Sequence, residues 1–232
     1  MNAQVALIID VAESRQVADF PAQRDDLLEA LSQRHRHNHW CDADYAVTAW
    51  DEFQGLVIAS VSLPWVLWDI LLSAYPVPLR IAIGGGQVER HAQRDQPINR
   101  SATGEAFYLA REAMDDLRKP RRGTLQARIA LRWNEPLIEA AGNGILRLLD
   151  VLIARITPKQ WEVITLYEQS RKQADVAEAL GKSESTVSRS LASGHYWEIR
   201  ASLEDLEAVL RYRLGSGASP AESPDSLRET ST

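Results

Sequence analysis

In the stretch TAWDEFQGL (48–56), two adjacent carboxylates, Asp51 and Glu52, separate two apolar segments that read as strands. Paired acids at a hairpin tip repel one another unless a cation or hydrogen-bond donors compensate them. A further acid, Asp10, ends the apolar run VALIID. If the strand ending at Asp10 lies beside the hairpin, Asp10 meets Asp51. With Glu52 they would then form an oxygen cage suited to Mg²⁺ carrying a nucleotide triphosphate. The segment that follows, VAESR, offers Ser14, the Arg15 guanidinium and backbone N–H groups to phosphates. Gly84 and Gly85, in a glycine run that ends another strand, complete this candidate nucleotide site. The plainer reading makes Asp51 and Glu52 polar turn residues and Asp10 a strand-end cap.

A second group of chemically active residues lies in RHRHNHWC, where His35, His37, His39 and Cys41 recur at every second position. In a strand all of them face one side, which would suit zinc or nickel; in a helix only His35 and His39 are neighbours. The alternative is a solvated helix end, with His and Arg near the C-terminal dipole.

A third group is ADVAEALGKSESTVSRSL, within residues 157–195. Thr157 can cap a helix with Pro158 at its first position, anchored by Trp161, Ile164 and Leu166. A second short helix carries Ala174, Val176, Ala177 and Leu180, and Gly181 supplies the turn. Ser183 caps a third, polar helix anchored by Val187 and Leu191. Short helix, glycine turn and polar helix follow the pattern of a helix-turn-helix. In that geometry Glu184, Ser185, Thr186, Ser188 and Arg189 would face the major groove of double-stranded DNA, with Arg171, Lys172 and Lys182 on phosphates. Residues 157–195 hold five Lys or Arg and five Asp or Glu, a weak charge balance for a lone DNA binder, so a homodimer is expected. A trihelical protein-interaction module is the alternative.

The elements that must position these residues follow from the hydrophobic pattern. Strand (5–9), helix (21–35), a strand–strand hairpin around the acids, helix (64–75), strand (79–85), helix (104–119) and strand (124–133) come in that order. The first six have the βαββαβ arrangement of a ferredoxin-like palm. The expected fold class is therefore α+β, a palm followed by an all-α helix-turn-helix domain. The palm is placed at 1–133, a connecting or dimerising helix at 134–156, the DNA-binding domain at 157–214, and a disordered small-polar tail at 215–232.

The blocks IIDVAESR, WDEFQGL, RIAIGGGQVE and GEAFYLAREAMDDL together resemble the SatD family, over roughly the first 130 residues. More distantly they resemble the palms of class III nucleotidyl cyclases and GGDEF-type diguanylate cyclases. There, an acid ending the first strand and an acid at the hairpin hold two metals; the matching positions are Asp10 and Asp51, with Glu52 alongside. The chain departs from those palms at Trp50, where they carry glycine. Their helical Asn and Arg positions fall on Tyr108 and Glu112, with Arg111 displaced by one residue, a rotation of about 100° around a helix. The resemblance thus implies nucleotide binding rather than cyclase activity. The last segment resembles the helix-turn-helix of sigma-factor region 4 and of winged or MarR-like regulators.

Composition agrees with a folded protein: 45% hydrophobic and 25% charged residues suffice for a core. A net charge of −6 argues against wholesale adhesion to nucleic acid or anionic membrane, leaving room for a local basic surface. The single cysteine, Cys41, excludes an intrachain disulfide and fits a cytoplasmic location. No segment reads as a signal peptide, and the most apolar run is broken by Asp69, Pro76 and Pro78, so no membrane partner is expected. Two functions remain. One is a DNA-binding regulator whose palm senses a nucleotide or related ligand. The other is a Mg²⁺-dependent nucleotidyl cyclase or transferase.

Overall fold

The run VALII carries no polar residue on either face, and the first strand, β1 (Gln4–Val11), is buried on both. Val5, Leu7, Ile9 and Val11 join one core, while Ala6 and Ile8 join another on the opposite side. That alternation is the period-2 geometry of a strand covered on both faces. A computed structural model describes residues 4–12, 20–90, 98, 102–119 and 127–212.

After β1 come α1 (Phe20–His37), β2 (Ala46–Ala49), β3 (Glu52–Val57), α2 (Leu63–Ala74) and β4 (Leu79–Gly86). The short strands β5 (Glu89–Arg90) and β6 (Ala102–Thr103) pair with each other and precede α3 (Glu105–Arg118) and β7 (Ile129–Trp133). The rest of the described chain is helical: α4 (Pro136–Ile153), α5 (Pro158–Ser170), α6 (Gln173–Leu180), α7 (Glu184–Ser193) and α8 (Tyr196–Tyr212). The fold is mixed α+β around a five-stranded sheet of order β2-β3-β1-β4-β7. β1 runs antiparallel to both its neighbours, and β7 is parallel to β4.

One face of the sheet is covered by α3. Its contact residues Ala106, Ala110 and Ala113 are small and fully buried, so helix and sheet approach closely. Gly84 makes that approach possible, because a Cβ there would strike the backbone of Ala106 and Ala110.

The other face carries α1 and α2, and its core continues without a break into the helical part. Val5, Leu67, Trp161, Val187 and Leu206 all belong to one buried cluster. The Trp68 ring stacks on Trp161 with centroids 5.9 Å apart, and its indole N–H donates to Glu168 at 2.8 Å. Trp65 donates likewise to Glu207 of α8 at 2.8 Å. Helix α4 lies against β7 with Gly142 over Leu131. The Asn143 amide pairs with the Leu131 backbone, donating to its carbonyl at 2.7 Å and accepting its N–H at 3.0 Å. That bond pair satisfies backbone groups on an edge strand.

The sequence reading is corrected at three points here. Strand β3 starts at Glu52 rather than Gly55, so the acid pair is split between turn and strand. Gly55 is a mid-strand residue, and a Cβ on it would collide with the Tyr45 ring. Ala174 is exposed, and Val163 is buried beside Trp161 and Ile164 as an anchor of α5. The expected tail at 215–232 lies outside the described residues.

Candidate functional site

Glu52 is the strand partner of Asp10 across β3 and β1, and Arg80 is the partner of Asp10 across β1 and β4. The three side chains form one row across the sheet, on the even-numbered face of β1 that α3 covers. Both carboxylates are buried, Asp10 at 3% and Glu52 at 4% exposure. Burial of two acids side by side demands compensation, and arginine supplies it. Arg80 Nη1 donates to Asp10 Oδ2 at 2.8 Å. Arg111 grips Glu52 with both terminal nitrogens, at 2.6 and 2.7 Å. Arg118 Nη2 reaches Asp10 Oδ1 at 3.0 Å and Glu52 Oε2 at 3.2 Å. Arg111 and Arg118 are seven residues apart on α3, about two turns, so they project from one side of it. Thr48 Oγ1 adds a bond to Glu52 Oε1 at 2.8 Å.

Burial alone would raise the Glu52 pKa. The hydrogen bonds from Arg111 and Thr48, with the charges of Arg111 and Arg118, outweigh it and hold the carboxyl below its ordinary value. Glu52 is thereby kept ionised.

The expected meeting of Asp10 with Asp51 is replaced by a meeting with Glu52. Asp51 stands in the turn, where its carbonyl accepts from Val11 N at 2.9 Å. Because β3 begins one residue after Asp51, the strand alternation places Glu52, not Asp51, opposite Asp10. All the carboxylate oxygens of Asp10 and Glu52 accept from guanidinium or hydroxyl groups, so in this arrangement the pair does not fit a resident Mg²⁺. Among the described residues, no group of three or more His, Cys, Asp or Glu could hold a metal ion. The arrangement does suit an anion: three arginines face two carboxylates, and Arg111 and Arg118 remain 41% and 42% exposed. Sequence reasoning missed Arg80 and Arg118. The seven-residue spacing of Arg111 and Arg118 was the available signal, visible once Asp10 is assigned to the face of β1 beneath α3.

Ser14 and Arg15 lie outside the described residues. Gly84 and Gly85 are buried within β4, Gly84 beneath α3 and Gly85 against the Trp133 ring, so close packing accounts for both. The histidine run sits at the end of α1, and its members diverge. His35 is buried between Tyr45, whose hydroxyl is 2.9 Å from Nδ1, and Asp69, 2.8 Å from Nε2. His37 and His39 are exposed, His39 with a left-handed backbone (φ 55°), and Cys41 is buried.

The segment from α5 to α7 is built by its caps. Thr157 and Gln160 form a reciprocal capping box at the start of α5, followed by Pro158. Arg171 closes α5 in the left-handed conformation (φ 59°), as Gly181 does for α6 (φ 61°). Ser183 Oγ then accepts from Thr186 N at 3.3 Å and caps α7. Val176, Ala177, Val187 and Leu191 are buried between these helices. Glu184, Ser185, Ser188 and Arg189 stand exposed on the outer face of α7, with Thr186 half-buried, and Lys172 and Lys182 are exposed at the two turns. Arg171 is half-exposed and directed inward, paired with Glu168 and donating to the Tyr196 hydroxyl at 3.1 Å.

The sequence profile of the SatD family matches residues 4–204. The chain belongs to the SatD family. The matched region extends well past the sheet, through α7 and into α8, and corrects the expectation that the resemblance stops near residue 130. The physical reason is the shared core: α1 and α2, which cover one face of the sheet of this SatD chain, belong to the same buried cluster as the helices of the capped segment. No curated protein matches the chain. Among solved structures, the regulator of polyketide synthase expression from Bifidobacterium adolescentis is similar at 14% identity and a TM-score of 0.26, covering 92% of this chain and 87% of that one. Among the described residues, no helix is long and apolar enough to cross a membrane.

Proposed function

We propose that this SatD-family chain is a DNA-binding transcriptional regulator, with α6 and α7 as the helix-turn-helix and α7 as the helix that enters the major groove. The observation that carries the reading is the outer face of α7. A Ser183-capped helix exposes Glu184, Ser185, Ser188 and Arg189 while Val187 and Leu191 anchor its inner face. Small hydroxyls and a guanidinium are the side chains that read base edges and phosphates. Lys172 and Lys182, at the turns flanking α6, are the proposed phosphate contacts. Arg171 joins them only by leaving Glu168. A homodimer through α4 would double an otherwise weak charge contribution. Footprinting on the region upstream of the chain's own gene tests the reading. Arg189→Ala and Ser185→Ala should weaken retention, and wild-type retention by both would reject α7 as the recognition helix.

In the same reading the sheet is a ferredoxin-like palm that senses a nucleotide or related anion. The strand order β2-β3-β1-β4, with β1 antiparallel to both neighbours, supports that ancestry. The ligand's phosphates would meet Arg111 and Arg118 directly. The competing activity, a Mg²⁺-dependent nucleotidyl cyclase or transferase, is favoured by the adjacency of Asp10 and Glu52 but requires the arginines to leave. Incubation with each nucleoside triphosphate and Mg²⁺ or Mn²⁺, followed by mass spectrometry, separates the two. Pyrophosphate release abolished by Glu52→Gln would establish the enzyme.

A further inference from the structure

A cleft of about 730 Å³ opens on the side of the molecule away from the Asp10–Glu52 cluster, between α1 and α2 on one wall and α5 and α8 on the other. Its volume falls within the usual range for small-molecule sites. Trp40, Trp65, Trp68 and Leu72 make much of the lining. The indoles are fixed: Trp65 is tethered to Glu207, Trp68 to Glu168, and Trp40 packs against His35 with ring centroids 5.4 Å apart. Rigid indoles favour flat aromatic ligands, because stacking then costs little ordering of the protein.

The charges in the cleft are as specific as its rings. Arg34, Arg171 and Arg200 line it together with Asp69 and Glu168, three cations against two carboxylates. The carboxylates hold the guanidinia in place. Arg34 donates to Asp69 through Nε at 3.1 Å and Nη2 at 3.0 Å, and to Ser73 Oγ at 2.6 Å. Arg171 is paired with Glu168, and Arg200 lies 4.3 Å above the Trp65 ring. Asp69 is itself anchored from the core by His35, which bonds on its other side to Tyr45. Despite these bonds Arg34 and Arg171 stay 45% and 51% exposed, one on each wall. Two pre-positioned guanidinia, with Arg200 adding the one surplus positive charge of the cleft, make a seat for a single anionic group.

We propose that this cleft binds a small planar aromatic acid, with its ring among the tryptophans and its carboxylate between Arg34 and Arg171. The site is separate from the nucleotide site proposed above. The ligand would join α1 and α2, which pack on the sheet, to α5 and its Arg171 cap, from which α6 and α7 extend. Binding would bias the placement of the helix-turn-helix and withdraw Arg171 from DNA. That consequence rests on the regulator reading; occupancy of the cleft does not.

The test is isothermal titration calorimetry on the full chain without DNA, using 2-naphthoate as probe and 2-naphthamide as its uncharged counterpart. Expected is a stoichiometry of about one naphthoate per chain, with naphthamide weaker by about tenfold or more. Thr165→Phe, which fills the cleft from α5 and leaves its charges intact, should remove naphthoate binding while preserving the wild-type thermal melt. Arg34→Gln should weaken binding by about tenfold. Absence of naphthoate binding, equal binding of naphthamide, or unchanged binding by a folded Thr165→Phe chain would each overturn the proposal. Because no DNA is present, its failure is distinct from a failure to bind a promoter.

Discussion

Arg118 bridges Asp10 and Glu52, reaching the first at 3.0 Å and the second at 3.2 Å from one terminal nitrogen. The pair of buried acids is therefore a compensated ion cluster and carries no unrelieved repulsion. Replacing one acid leaves guanidinia short of partners in a partly dry site. Glu52→Gln is expected to lower stability by about 2 kcal/mol, the scale of a hydrogen bond to a charged group. Asp51→Asn, in the turn, should stay within about 0.5 kcal/mol of wild type. Urea melts with Mg²⁺ and with chelator check both. A rise in stability for Asp51→Asn in chelator, abolished Mg²⁺ stabilisation with it, would restore the metal cage.

The fold holds the carboxyls of Glu52 and Asp69, and that of the more exposed Asp116, below their ordinary values. For Glu52, burial pushes upward, but Arg111, Thr48 and Arg118 prevail over it; for Asp69, burial again pushes upward, and His35 and Arg34 prevail. A depressed folded-state pKa contributes stability above the unfolded value, and the contribution is lost as pH falls through the folded value. The urea midpoint should thus fall progressively as pH drops below the ordinary values of 4.5 for Glu52 and 3.8 for Asp69. Glu52→Gln should fall less steeply than wild type over the same window, since one of the titrating groups is gone. Parallel curves for the two proteins would contradict the ion cluster.

The elements of the sheet were legible in the sequence because β-branched runs and proline-started helices state their periods locally. The caps Thr157 and Ser183 were legible for the same reason: each works within a few residues of chain. The pairing inside the site was not. Whether Asp51 or Glu52 meets Asp10 depends on where β3 begins, and one residue of register exchanges the two faces of a strand. Arg80 and Arg118 are 70 and 108 residues from Asp10, and only the tertiary fold brings them together. The glycines at 84 and 85 were ambiguous for a related reason. A glycine required by a helix crossing a strand has the same local appearance as one required by a phosphate.

Cys41 should be chemically silent in the folded chain. Burial, chiefly, pushes its thiol up to about 12, so almost none is thiolate at neutral pH. Its backbone is also fixed, bridging Val57 of β3. Ellman's reagent at pH 8 should react only as fast as the protein opens, and promptly in denaturing urea. Immediate stoichiometric reaction of the folded protein would mean that the end of α1 and the Tyr45 layer are open in solution.

The outer face of α4 carries an apolar stripe. Leu137, Ala141, Gly144, Leu148 and Val151 recur at alternating spacings of four and three, the repeat with which one helix packs along another. Leu137 and Leu148 are 74% and 68% exposed, and a side chain at Gly144 would meet nothing within 4 Å. The inner face of the same helix, with Ile138, Leu146, Leu149 and Ile153, is already buried, so the outer stripe is free to serve a second copy. In the proposed regulator, a two-fold pairing there would present two α7 helices to one duplex and offset the balanced charge of each segment. Leu148→Glu should therefore leave the thermal melt at low protein concentration unchanged, convert a dimer to a monomer in analytical ultracentrifugation, and remove DNA retention. A wild-type chain that sediments as a monomer at every accessible concentration, yet retains DNA, would show that α4 is not the dimer helix.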